Sequence, residues 1–254
     1  MGAPIELPIK ELEAVLFDMD GVVTDTSSTH AVAWKEVFDD VLRTRSERNG
    51  EAFVPFRSAD YLAFVDGKPR EEGIRSFLTA RGIELPEGGS SDRGDLGTVH
   101  GIAERKNDRF RELLGSGAVE VFASTMALVE ELRKTGVRIG LFTSSRNMDT
   151  VLDAAGVMEA FDVRVGGVEA ASRGLRGKPE PDILLETASQ LGVSPGHAAV
   201  IEDARSGVLA ARRGGFRLVI GVDRGGNAAA LREAGADAVV ADLAAVRLET
   251  GGRS

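Results

Sequence analysis

The chain has 254 residues, with 31 basic against 40 acidic side chains and a net charge of −9, a balance that speaks against a nucleic-acid surface. It contains no cysteine, which excludes disulfides and thiol chemistry. No apolar run is long enough to span a bilayer, and no basic segment leads into an apolar stretch at the amino terminus. A soluble, cytoplasmic, monomeric protein with no membrane or nucleic-acid partner is expected.

Residues 14–17 form a short run of large apolar side chains that ends in Asp18 and Asp20, with Gly21 next. Such a run reads as a buried parallel strand, and in alternating α/β chains ligands bind at the carboxyl ends of these strands. Strand side chains alternate, so both carboxylates face the same side. Two carboxylates this close repel unless a proton or cation intervenes, which points to Mg²⁺. Read alone, Asp20-Gly21 is equally a common turn pair. A helix is predicted over 26–42, with Thr26, Ser27 or Ser28 as its cap. Thr26, His30 and Trp34 share one face of it. They are either the rim of a polar pocket or a cap, a satisfied histidine and a core indole.

Residues 43–116 show helical periodicity at 70–81 and 98–114, polar links and no strong strand, which predicts a helical insertion. The stretch 87–95 has no apolar residue and reads as a mobile surface loop. Arg70 and Lys106 stand out here, although solvated charge is the rule on helix surfaces. From 124 onward strands and helices alternate. Helices are predicted at 124–135, 181–191 and 205–213, and strands at 137–142, 161–165, 198–201, 216–222 and 237–240. Short connections between such units describe a doubly wound parallel sheet.

The polar ends of these elements suit phosphoryl transfer. Asp18 can attack phosphorus and form an aspartyl-phosphate. Asp20 can protonate the leaving oxygen and later deprotonate the incoming one. Thr143, Ser145 and the amides after them can donate to the equatorial phosphoryl oxygens. Lys178 adds a positive charge that would keep Asp18 ionised. Mg²⁺ would be held by Asp18, Asp203 and the Asp20 carbonyl, with Glu202 completing the acidic set.

Together these residues resemble the haloacid dehalogenase superfamily of phosphotransferases. Its first motif stands as Asp18-Met19-Asp20-Gly21-Val22-Val23 and its second as Gly140-Leu141-Phe142-Thr143. Its lysine motif stands as Gly177-Lys178-Pro179 and its acidic motif as Ile201-Glu202-Asp203. The resemblance implies an α/β core over 1–27 and 117–254, with a helical cap inserted at 28–116. Within the superfamily the sequence is similar to the β-phosphoglucomutase-like branch. That likeness implies that Thr26 and His30 help position Asp20, and that Trp34 belongs to the same extended motif. It also implies that Arg70 grips the non-transferring phosphate, that Lys106 contacts the substrate, and that Ser144, Ser145, Arg146 and Asn147 line the phosphate-binding strand end. The implied activity is Mg²⁺-dependent interconversion of β-glucose 1-phosphate and glucose 6-phosphate, or alternatively hydrolysis of a hexose or trehalose phosphate. Departures from the pattern are a cap lengthened around 87–95, Ala204 where serine occurs, and Val121-Phe122-Ala123 in place of Tyr-Pro-Gly.

Overall fold

The computed structural model describes residues 5–115 and 119–249. The chain divides into two compact units, Met1–Asp25 with Ala118–Ser254, and Thr26–Gly117. The predicted boundary at 116/117 lies outside the described residues.

Among the described residues the first unit is built on eight strands: β1 (Ile5–Leu7), β2 (Ala14–Asp18), β3 (Arg138–Phe142), β4 (Val163–Val165), β5 (Ala198–Glu202), β6 (Leu218–Val222), β7 (Ala238–Val240) and β8 (Val246–Leu248). Six of them form one sheet in the order β4-β3-β2-β5-β6-β7, with every neighbouring pair parallel. Chain order runs outward from β2 on one side and resumes from β5 on the other, so the topological switch point lies between β2 and β5. Every residue of both strands is buried, which explains their unbroken apolar character; a strand covered on both faces has no polar side to alternate with. Leu16, Phe142, Val200, Val208 and Val219 sit in one cluster against the helix Asp182–Leu191. Truncating any of the larger ones to alanine would cost about 2–5 kcal/mol.

Every predicted strand appears; those at 137–142, 161–165, 216–222 and 237–240 begin one or two residues later, and that at 198–201 extends to Glu202. β1 and β8 pair in parallel as a separate sheet. Neither was predicted.

The second unit is helical. Its principal helices are Ser27–Asn49, Arg70–Ala80 and Val99–Leu114. The first runs past the predicted end at 42, since nothing breaks it before Gly50, which takes a left-handed φ of 66°. Thr26 occupies the N-cap position but its side chain makes no capping bond. Thr98 does cap, accepting from Gly101 N at 3.0 Å. The core centres on three rings: Phe38 and Phe77 are 4.3 Å apart, and Phe56 lies 4.9 Å from each. Such pairs add about 0.5–1.5 kcal/mol each beyond burial. The stretch 87–95, expected as a mobile loop, contains a turn of 3₁₀ helix at Ser90–Asp92. Asp92 accepts from Gly89 N and Asp95 from Gly97 N, both at 2.8 Å. Polar side chains bonded to backbone fix it in place of apolar packing.

Candidate active site

β2 delivers Asp18 at its carboxyl end, with register partner Phe142 on β3, while Phe17 pairs Ile201 on β5. Asp18 is therefore flanked by the ends of both neighbouring strands. Beyond it the chain turns back on itself. Gly21 takes φ 86°, a value open to glycine, and its N–H donates to Thr24 O at 2.8 Å. This turn holds Asp20, half-buried, whose Oδ2 accepts from Thr143 Oγ1 at 3.3 Å. Thr143 Oγ1 also accepts from Ser145 N at 3.0 Å, and Ser145 Oγ from Asn147 N at 3.2 Å. These bonds set the loop after β3. Asn147 is buried, Ser144 and Ser145 are half-buried and Arg146 is exposed.

Lys178 comes from the loop before the helix Asp182–Leu191 and is 1% exposed. Its Nζ donates to Asp18 Oδ1 at 2.6 Å and to Glu202 Oε2 at 2.8 Å, and lies 4.8 Å over the Phe142 ring. Glu202 is wholly buried, and its Oε1 accepts from Asp203 N at 3.2 Å and Ala204 N at 3.0 Å. Both oxygens of Glu202 are thus engaged. Carboxylate oxygens of Asp18, Glu202 and Asp203 all lie within 4.8 Å of one another.

The electrostatics follow from this crowding. Burial, and then the nearby Glu202, push the Asp18 carboxyl well above the usual range, although Lys178 pulls the other way. Burial and the neighbouring carboxylates thus outweigh the pull of Lys178 on the Asp18 carboxyl. Burial pulls Lys178 down, but Asp18 and Glu202 outweigh it and hold the ammonium above its ordinary pKa. Lys178 stays charged, and the cluster around it still lacks positive charge.

Within the helical unit, His30, Trp34 and Lys106 come together. Lys106 is 3% exposed, its Nζ 2.5 Å from His30 Nδ1 and 5.0 Å over the Trp34 ring. An ammonium only donates, so Nδ1 accepts. His30 stacks on Phe110 at 3.9 Å, and Lys106 lies over the same ring at 4.8 Å. Thr26 is buried at the start of the same helix. Arg70 has other contacts, donating to Asn107 Oδ1 at 2.7 Å and Ala103 O at 3.3 Å, with Glu104 at 3.6 Å.

Three residues that bear on the site escaped the sequence reading. Gly207 lies in the helix Arg205–Arg213, directly against the Glu202 carboxylate. Arg224 and Asn227 follow β6 in a run of Asp223, Arg224, Gly225, Gly226 and Asn227. A polar cluster at a parallel strand end was the signal available for those two.

A family model described as haloacid dehalogenase-like hydrolase matches residues 12–215. The chain belongs to that family. It is 46% identical over 239 residues to a β-phosphoglucomutase of Mycobacterium tuberculosis, covering 92% of this chain and 91% of that protein. It is also 42% identical over 250 residues to an uncharacterized glycosyl hydrolase of the same organism, covering 98% of this chain but 18% of that longer protein. Among solved structures, a β-phosphoglucomutase from Clostridium difficile superposes with a TM-score of 0.71 at 24% identity, covering 91% of this chain and 92% of that one. The haloacid dehalogenase fold, a parallel α/β sheet with helices, is common to both. No helix among the described residues is long and apolar enough to cross a membrane.

Proposed function

We propose that this phosphotransferase is a β-phosphoglucomutase working through an aspartyl-phosphate at Asp18. The observation that carries the reading is the buried pair of bonds from Lys178 Nζ to Asp18 and Glu202 at the switch point. Such a lysine orients one oxygen of Asp18 and leaves the other for attack. The strongly similar relative named β-phosphoglucomutase supports the substrate. So does the longer relative named as a glycosyl hydrolase, which puts a segment like this one in a carbohydrate context.

The donor set fits a hard divalent cation. Three clustered carboxylates face one lysine, and Asp18 resists ionisation without further positive charge. Asp18, Asp203 and the Asp20 carbonyl would hold Mg²⁺, whose charge would offset that building on the phosphoryl oxygens. Glu202, with both oxygens engaged, serves to hold Lys178 rather than to bind metal.

In the reaction, an Asp18 oxygen attacks phosphorus in line, and the sugar oxygen leaves with a proton from Asp20. In the reverse sense Asp20 removes the proton of the sugar hydroxyl as it takes the phosphoryl group from Asp18. Thr143, through its hydrogen bond to Asp20, steadies that carboxyl. β-Glucose 1-phosphate thereby becomes the 1,6-bisphosphate, and return of the 1-phosphate to Asp18 leaves glucose 6-phosphate. A mutase must also hold a second phosphate. Arg70, whose guanidinium fork suits two phosphate oxygens, is assigned that role with Lys106, and Ser145, Arg146 and Asn147 are assigned to the phosphate-binding strand end after β3. Ser144 lines the same strand end, His30 and Thr26 position Asp20, and Trp34 supports Lys106. A cytoplasmic monomer completes the reading.

The test supplies β-glucose 1-phosphate, Mg²⁺ and a trace of the 1,6-bisphosphate, then compares glucose 6-phosphate with free phosphate. Glucose 6-phosphate should dominate. Phosphate as the sole product would replace the mutase with a sugar-phosphate phosphatase using the same core residues.

A further inference from the structure

The loop after β6 reaches back to the two halves of the nucleophile and metal cluster. Arg224 Nε donates to Gly21 O at 2.9 Å, the carbonyl of the turn that carries Asp20. The guanidinium lies 3.6 Å over the Phe122 ring, and Nη1 donates to Ala241 O at 3.3 Å and Asp242 Oδ2 at 3.4 Å. Phe122 is itself part of the strap on that turn, since its N–H donates to Val23 O at 3.0 Å. Three residues along the same loop, Asn227 Nδ2 donates to Asp203 O at 3.0 Å. Its backbone N–H is fixed by Asp223 Oδ1 at 2.8 Å, and Asp223 N by Val240 O at 2.7 Å. The loop is thus anchored on β7 and bonded to the main chain on both sides of the β2/β5 switch point.

A further observation separates this loop from ordinary packing. Arg224 Nη2 and Asn227 Oδ1 are buried and have no hydrogen-bond partner among the described residues. A buried polar atom left unsatisfied costs stability, and such groups are uncommon in native interiors. A loop selected for packing alone would carry an apolar side chain at these places. The cost is tolerable where the other end of the same side chain does something an apolar residue cannot.

We propose that Arg224 and Asn227 are positioning residues for phosphoryl transfer. Arg224 holds the turn that aims Asp20, and Asn227 holds the backbone that aims Asp203. The proposal rests on the assignment of Asp18 and Asp203 to the metal site. Partners that orient metal-binding and catalytic groups typically change affinity or activity by about 10–100-fold when removed. Arg224→Ala should lower kcat about tenfold with KM for the sugar phosphate unchanged, and Arg224→Lys, which keeps a cationic donor, should restore part of the loss. Asn227→Ala removes one satisfied donor together with one unsatisfied acceptor, so its melting temperature should stay near that of the native protein. Its affinity for Mg²⁺, measured by calorimetry without substrate, should fall about tenfold.

Native kcat in Arg224→Ala and native Mg²⁺ affinity in Asn227→Ala would overturn the proposal while leaving the assigned function intact. Native protein that binds no Mg²⁺ would overturn both. If Arg224→Ala does not fold, Arg224→Lys and Asn227→Ala decide the matter on the same readouts.

Discussion

Gly207→Ala adds one methyl group to a helix and should nevertheless disable the enzyme. An alanine Cβ at this position would stand 1.8 Å from Glu202 Oε2 and 2.1 Å from its Cδ. Contact distances for a real Cβ begin at 3.0 Å, so the carboxylate must retreat by about 1.2 Å. It has no room to do so freely, being wholly buried, with Oε2 on Lys178 and Oε1 on two backbone amides. Retreat stretches or breaks the bond to Lys178 and shifts the ammonium that orients Asp18. Overpacking costs about 1–3 kcal/mol, and breaking a buried ion pair about 3–5 kcal/mol. The helix gains only about 1 kcal/mol from replacing glycine. A net loss of about 3–7 kcal/mol would lower the melting temperature by roughly 6–28 °C at this chain size. Turnover should fall about a hundredfold, the usual consequence of a 1 Å error at a catalytic group. The assay is product formation with thermal denaturation on the same preparation. Gly196→Ala serves as control, since its Cβ would meet nothing within 4 Å. Glu202→Asp in the Gly207→Ala background shortens the carboxylate and should recover part of the stability. A Gly207→Ala protein with native turnover and native melting would refute the reasoning.

Asp18→Asn should abolish turnover and, in metal-free protein, raise the melting temperature, because it removes a carboxylate whose charge burial and Glu202 disfavour. The sign with pH follows from the raised pKa. The folded state holds the Asp18 proton more tightly than the unfolded chain, so its stabilising effect is full at low pH and is lost as pH rises toward the folded value. The gap in melting temperature between the variant and native protein should therefore narrow on acidification, and a gap that widens would contradict the cause given. Lys178→Ala leaves Asp18 and Glu202 facing each other unpaired, and should lose activity together with about 3–5 kcal/mol, read by urea denaturation. Arg70→Ala should raise KM for sugar bisphosphate about 10–100-fold, the worth of one or two charge-assisted hydrogen bonds. Its hydrolysis of a small monophosphate ester should stay within a factor of a few of native, and an equal loss on both substrates would remove Arg70 from the second phosphate.

Most of the residues now gathered around Asp18 were legible because each stands at the end of a strongly patterned element; Lys178, in a loop, was legible through Gly177-Lys178-Pro179. Ala14–Asp18, Arg138–Phe142 and Ala198–Glu202 announce themselves as buried strands through short, predominantly apolar runs. Whatever polar residue follows such a run is carried to the binding edge of the sheet. In the helical unit, the four-residue spacing of His30 and Trp34 likewise placed both on one face.

Sequence alone settled the strongly patterned elements and which side chains stand at their ends, because hydrophobic period and turn chemistry act over a few neighbouring residues. Tertiary structure alone decided which of those ends meet: Lys178 bonds a carboxylate 160 positions away, and Arg224 holds a carbonyl 203 positions away. Those distances depend on strand order and on how layers pack, and no local pattern encodes either. The same holds for Gly207, whose need for a missing side chain exists only because Glu202 folds across it. It holds too for the charge on Asp18, since burial and the approach of Glu202, rather than residue type, set its affinity for a proton.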